Sequence, residues 1–154
     1  MFFRALFAFL ALPGIVAFAI PLFVFNPAMP TGGFTPAGAA VLLVGIVILL
    51  WCVRDFYVMG KGTLAPWDPP RSLVVRGLYR FSRNPMYVGV LTILTGWAIG
   101  FASRSLAGYA LFMTIVFHLR VVFFEEPYLA RTHGTAWTQY RASVPRWFGR
   151  PSRS

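Results

Sequence analysis

The chain has 154 residues, of which 58% are hydrophobic, 18% aromatic and only 12% charged, and its mean hydropathy is +0.68. A soluble domain carries about 25% charged residues, so the composition excludes a soluble globule and specifies one small integral membrane domain over residues 1–154. The net charge of +10 does not indicate nucleic acid, because the basic residues sit in short loops beside apolar runs, where they orient the chain and meet anionic lipid.

Ala5 to Phe25 is an uncharged run of 21 residues behind Arg4. At a 1.5 Å rise per residue it can cross a hydrocarbon core of about 30 Å, and it exceeds the apolar region of a signal peptide, roughly 7–15 residues. Pro13 predicts a bend within it. Asn26 to Thr35 is an uncharged turn, and Pro36 opens a second apolar run reaching about Val53. The two spans form a hairpin over residues 1–58. Arg4 precedes it and Arg54 and Lys61 follow it, so the positive-inside rule places both of its ends in the cytoplasm. Cys52 stands alone in an apolar run, which gives neither a disulfide framework nor a cysteine metal site.

Residues 59–154 carry the chemistry. From Gly60 to Tyr79 the sequence Gly-Lys-Gly-Thr, then Pro66-Trp-Asp-Pro-Pro70, is incompatible with a regular helix and predicts a cytoplasmic loop. Gly60 and Gly62 lack the spacing of a dinucleotide fingerprint. The stretch Gly77 to Gly89 follows, Gly-Leu-Tyr-Arg-Phe-Ser-Arg-Asn-Pro-Met-Tyr-Val-Gly. Arg80 and Arg83 there present rigid forks suited to a carboxylate or phosphate, although arginines beside a span also serve as plain topological anchors. Pro85 suits the first position of the next helix.

Met86 to Phe101 and Leu106 to Phe124 are apolar runs of 16 and 19 residues separated by Ala102–Ser105, which predicts a tight helical hairpin. The first of the pair spans only about 24 Å, short for a bilayer. The second contains His118 and Arg120 and ends at Glu125 and Glu126. Ionisable residues at membrane depth are costly and point to function. On an α-helix His118, Val122, Glu125 and Leu129 share one stripe, and Pro127 predicts a kink or a fresh start. Tyr128 to Arg141 fits an interfacial helix interrupted at Gly134, with Leu129, Ala136, Trp137 and Tyr140 on one face. The fold class expected is an all-α integral membrane protein with about four transmembrane helices and a C-terminal interfacial helix.

These motifs resemble the isoprenylcysteine carboxyl methyltransferase and phospholipid methyltransferase superfamily of small integral-membrane enzymes that use S-adenosylmethionine. Gly77-Leu-Tyr-Arg and Arg83-Asn-Pro-Met-Tyr-Val-Gly89 are similar to the family's Gly-x-Tyr-x-x-x-Arg-His-Pro-x-Tyr-x-Gly, and Glu125-Glu126-x-x-Leu129 to its tandem glutamates. Gly134-x-x-Trp137-x-x-Tyr140 with Val144-Pro-Arg146 resembles its ending. The likeness covers about half the chain, with two departures: Asn84 stands where the family has His, and Pro127 follows the glutamates.

The resemblance implies an S-adenosylmethionine site formed by Tyr79, Arg83, Asn84, Pro85, Tyr87, Glu125, Glu126, Leu129 and Tyr140, with Arg83 facing the cofactor carboxylate. Glu125 and Glu126 would meet its hydroxyl or amino groups, and Leu129 with the helix to Tyr140 would cover the adenosine. Arg54, at the end of the preceding span, would orient the methyl acceptor. The implied enzyme acts at the cytoplasmic face of an inner membrane on a lipophilic acceptor bearing a thiol, a carboxylate or a lipid amine. Its partners are that acceptor and membrane lipids, with no nucleic acid and no metal. The alternatives are an NADPH-binding membrane reductase of the sterol-reductase type, whose chains are much longer, and a non-catalytic membrane subunit.

Overall fold

The computed structural model describes residues 10–59, 73 and 75–149, and these are helical with no strand among them. Helix α1 (Leu10–Val24) is π-wound and contains Pro13 and Pro21. Pro21 has no N–H, so in this i→i+5 helix the carbonyl of Val16, five residues back, loses its helical donor. Hydrocarbon offers no water in its place. The Tyr109 hydroxyl supplies the missing bond, donating to the Val16 carbonyl at 3.3 Å, and Trp97 Nε1–H donates to the adjacent Ala17 carbonyl at 2.9 Å. Two adjacent carbonyls of α1 thereby tie down two other helices.

Helix α2 (Pro36–Met59) is capped by Thr35, whose hydroxyl accepts from Gly38 N–H at 3.1 Å. It continues past Val53, where the apolar run ends, through Arg54 and Asp55. Helix α3 (Pro85–Gly100) has its proline in the first turn. The turn to α4 (Arg104–Arg120) passes through Ala102 with φ 49°, and Ser103 caps α4 by accepting from Leu106 N–H at 3.3 Å.

A five-residue π turn (Val121–Glu125) joins α4 to α5 (Glu126–Ser143). There the Glu126 N–H reaches back to the Val121 carbonyl, and the widened turn absorbs Pro127 just beyond it. The kink expected at Pro127 therefore appears as a π turn ahead of it. The single stripe of His118, Glu125 and Leu129 does not survive, because a π turn inserts a residue and shifts the faces on either side. Gly134, with φ 49° and ψ −118°, breaks α5 as expected.

Two helical stretches, Pro36–Asp55 and Arg104–Ser143, are long and apolar enough to cross a membrane, while Pro13–Val24 and Pro85–Gly100 are shorter apolar helices. The closest packing is α2 against α3. A Cβ on Gly38 would lie 2.3 Å from the Gly100 Cα, one on Gly45 2.6 Å from the Ile93 nitrogen, and one on Gly96 2.6 Å from the Leu42 nitrogen. The two backbones touch along an antiparallel glycine seam, where small residues gain dispersion contact that hydrocarbon itself does not drive. Ala17, Leu49, Ile93, Leu94, Met113 and Phe117 bring all four apolar helices into one core.

Thr35 closes one end of the bundle, its N–H bonding the Gly100 carbonyl at 3.1 Å and its hydroxyl the Ile99 carbonyl at 3.1 Å. The opposite end gathers a 3₁₀ turn (Gly77–Arg80), the start of α3, the π turn, α5 and the segment Val144–Gly149.

Tyr109→Phe removes the donor to Val16 and should destabilise the protein by about 1–3 kcal/mol. Pro21→Ala restores a backbone N–H, so adding it to Tyr109→Phe should recover about 1 kcal/mol in a double-mutant cycle. Thermal unfolding in detergent micelles measures both, and strict additivity would rule out the shared carbonyl.

Candidate active site

Adjacent helical residues point about 100° apart, and this separates the two glutamates at the start of α5. Glu125 turns toward α3 and α4. Its Oε1 accepts from Arg120 Nε–H at 3.0 Å and from the Tyr87 hydroxyl, which Arg120 Nε–H also contacts at 3.1 Å. Tyr87 in turn packs on Phe117, ring centroids 4.5 Å apart.

Glu126 turns the other way and is buried. Arg146 grips it with a fork, Nε to Oε1 at 2.7 Å and Nη2 to Oε2 at 2.9 Å, a geometry only a planar guanidinium provides. Arg83 Nη1 lies 3.0 Å from the same Oε1, with side-chain exposures of 8% for Arg83 and 10% for Glu126. One buried carboxylate thus balances two guanidinium groups. Burial pulls the Arg83 guanidinium below its ordinary value while Glu126 pulls it back up, and the Glu126 hydrogen bonds raise that of Arg146. Both remain cations at any physiological pH.

Arg83 also lies over the Trp137 ring, its Cζ 5.4 Å from the centroid, within cation–π range. Its Nε and Nη1 have no hydrogen-bond acceptor among the described residues, and neither does the buried Trp137 Nε1. The contact with Glu126 is therefore an ion pair without hydrogen-bond alignment. Three buried donor atoms on two stacked groups lack an acceptor, which is costly unless a ligand supplies one.

The segment after α5 straps these groups together. Arg83 N–H donates to the Pro145 carbonyl at 3.0 Å, while Asn84 Nδ2–H and the Ser82 hydroxyl donate to the Arg146 carbonyl at 3.0 and 3.3 Å. Asn84 precedes α3 without capping it through its side chain, and that side chain is spent on the strap. Pro85 is buried at the first turn. The Tyr140 hydroxyl donates to the Tyr79 carbonyl at 2.7 Å, a fully buried bond. Burial pushes the Tyr79 phenol well above its ordinary value, with neighbouring Cys52 and Tyr140 acting in the same direction, so this phenol stays protonated. Leu129 and Leu73 pack on the cluster of Trp137, Tyr140 and Val144.

Of the residues singled out in the sequence, Arg83, Asn84, Glu126 and Tyr140 meet in this one assembly. Tyr87 and Glu125 form the second, adjoining cluster. Arg54 lies apart on α2 with its side chain 71% exposed and Nη1 3.5 Å from Asp55 Oδ1. Much of the Gly60–Tyr79 loop, residues 60–72 and 74, lies outside the described residues.

The sequence assigns no site role to Arg146, to Trp137 beyond the apolar face of its helix, to Ser82 or to Asp55. The first two stood inside quoted motifs, whereas Asp55, a carboxylate at the end of an apolar run, was the overlooked signal. It is 1% exposed, and a Cβ on Gly77, which has φ +59°, would fall 2.0 Å from its Oδ2.

An all-helical apolar bundle with a buried ionic site at one end defines a membrane protein whose polar chemistry is confined to one surface. The family profile described as Phospholipid methyltransferase matches residues 34–136, about two thirds of the chain, and the protein belongs to that family, within the membrane methyltransferase superfamily its motifs resemble. No curated protein and no solved structure matches it.

Tyr140→Phe deletes one hydroxyl and leaves the Tyr79 carbonyl buried without its donor. It should lower stability by about 1–3 kcal/mol, read as an earlier unfolding transition in micelles. An unchanged transition would mean that this bond does not hold α5 to the 3₁₀ turn.

Proposed function

We propose that the protein is an S-adenosylmethionine-dependent methyltransferase that acts at the cytoplasmic membrane surface on a lipophilic acceptor. The observation that carries the reading is the family match over a chain whose buried Arg83 and Trp137 hold donors without an acceptor among the described residues. Those donors fit the carboxylate of an amino-acid moiety, since a planar guanidinium and an indole N–H both donate and neither accepts. The cofactor, when bound, supplies an electrophilic methyl group on a cationic sulfur.

The chain's own task is alignment and exclusion of water, because an in-line displacement at such a methyl needs positioning more than a strong acid or base. Arg83 and Trp137 hold the carboxylate. Glu126, with both oxygens already engaged by Arg146 and Arg83, orients Arg83 and offsets its charge, a positioning role in place of the direct cofactor contact expected of it. Asn84 and the strap fix the start of α3, and Pro85 leads the backbone away from the site. Tyr79 and Tyr140 lock α5 against the 3₁₀ turn, while Leu129 beside Trp137 gives the apolar wall for a base. Tyr87 and Glu125 adjoin these groups on the α4 side.

The acceptor enters sideways from the bilayer, where an apolar molecule is already concentrated at about 0.8 kcal/mol per CH₂, and Arg54 orients its polar end. The cytoplasmic face follows from charge. Lys61, Arg71, Arg76, Arg80 and Arg83 fall on this end of the sequence, and the Asn26–Thr35 loop has no basic residue.

Calorimetry with S-adenosylmethionine should show saturable binding. Arg83→Gln should weaken it by about 1.5–3 kcal/mol, the range for a hydrogen bond to a charged group, and Trp137→Phe by about 0.5–1.5 kcal/mol. Normal binding in both folded variants would remove this pocket, and saturable NADPH binding in place of S-adenosylmethionine would overturn the methyltransferase reading.

Methyl transfer in bilayers should rise with the alkyl length of acceptors that share one reactive group, and Arg54→Ala should lower turnover without altering cofactor affinity. Equal rates for a water-soluble acceptor would defeat lateral entry.

A further inference from the structure

The donors that suit a carboxylate are sealed. Arg83 Nε and Nη1 and Trp137 Nε1 are all buried, the Arg83 side chain being 8% exposed and Trp137 3%. A ligand can reach them only when a covering element moves. Two elements lie over them: the second half of α5, which carries Trp137, and the strap Val144–Trp147, whose Pro145 carbonyl accepts from Arg83 N–H at 3.0 Å. Helix α5 is pinned by the buried bond from the Tyr140 hydroxyl to the Tyr79 carbonyl and by the apolar cluster around it.

The strap is held differently at its two ends. Val144 is buried and extended, packs with Trp137 and Tyr140, and its N–H bonds the Tyr140 carbonyl at 2.9 Å. Beyond it the fastenings are polar. The bonds from Asn84 and Ser82 to the Arg146 carbonyl and the Arg146 fork on Glu126 are only part-buried, and the outermost bond, Trp147 Nε1–H to His118 Nδ1, is exposed. Phe148, next in the chain, is exposed too. Hydrogen bonds within reach of water are readily exchanged for water, so the segments they hold open first. Charge acts in the same sense, because Arg146 and Arg141 both repel the Arg83 guanidinium while Glu126 offsets a single charge.

We propose that the strap is the gate of the Arg83 site: it pivots at Val144, parts Trp147 from His118, and lifts the Pro145 and Arg146 carbonyls off Arg83, Ser82 and Asn84 to admit an anionic group to the buried donors. Latched, the strap is the frame that holds Arg83; unlatched, it is the entrance. The gate rests on the reading that Arg83 and Trp137 meet the carboxylate of the cofactor. The opening itself belongs to the chain alone and is measurable without ligand.

Hydrogen exchange of the full chain in micelles follows the Arg83 amide, whose acceptor is the Pro145 carbonyl. Trp147→Phe keeps a ring and deletes the N–H. Loss of one neutral hydrogen bond should raise the open population, and with it Arg83 exchange, by about three- to tenfold, while amides in the middle of α3 keep their rates. His118→Leu removes the acceptor of the same bond and should give the same acceleration. Rapid-mixing kinetics with S-adenosylmethionine then separate a gate from a fixed frame. Entry that waits on the open fraction should quicken by the same factor in both variants, whereas damage to a fixed frame would leave association unchanged or slower. Joining His118→Cys to Trp147→Cys with a reducible thiol crosslinker should slow association by about tenfold or more, and reduction should restore it. Unaltered Arg83 exchange in both variants, association no faster in either, or undiminished association in the tethered protein would each overturn the gate. Failure of wild type to bind S-adenosylmethionine would instead remove the cofactor reading, and Arg83 exchange would then decide by itself whether the strap opens.

Discussion

Hydrocarbon supplies no hydrogen bonds, so every backbone carbonyl freed by a proline must find a donor inside the protein. The architecture follows from this constraint at Pro21. Tyr109 on α4 donates to the Val16 carbonyl that it frees on α1 and Trp97 on α3 to the neighbouring Ala17 carbonyl, which docks both later helices on the first. Pro127 is preceded by a π turn, closed by the Glu126 N–H on the Val121 carbonyl. That turn also sets the directions from which Glu125 and Glu126 leave the helix. The proline that looks like a departure from the tandem-glutamate motif is accommodated by the geometry that separates the pair.

Charge is the second scarce quantity. The chain has 14 basic residues and 4 acidic ones, so each carboxylate has to serve where it offsets most. Glu126 balances Arg83 and Arg146 in a site with little water, where breaking the set would leave an uncompensated buried charge. Glu125 holds Arg120, and Asp55 is 3.5 Å from Arg54. Each acidic residue among those described is thus matched to an arginine, and each pair sits toward the same end of the bundle. The opposite end is closed by neutral groups, Thr35 with the Ile99 and Gly100 carbonyls and the rings of Phe34, Trp97 and Phe101.

The strap Val144–Trp147 joins these themes. Its backbone carbonyls accept from Ser82, Arg83 and Asn84, its Arg146 side chain forks Glu126, and Trp147 Nε1–H donates to His118 Nδ1 at 3.3 Å. Residues far apart in the chain become one rigid frame around Arg83. Asn84 suits this frame because its short amide donates to a carbonyl while its own backbone leads into Pro85.

Apolar runs, the prolines that open α2 and α3, the break at Gly134 and the spaced motifs from Gly77 to Arg146 were legible in the amino-acid order, because hydropathy, backbone restriction and motif spacing are local properties. The all-helical class and the family follow from them. Other features belong to the tertiary structure alone: the division of Glu125 and Glu126 between two clusters, the joining of His118 to Trp147 instead of to the glutamates, the role of Arg146, and the burial of Asp55 beneath Gly77. The physical reason is that a π turn shifts every later face by one residue, and that the partner of a buried charge or a freed carbonyl is chosen by helix packing across 20 to 90 positions of sequence, which no local pattern encodes.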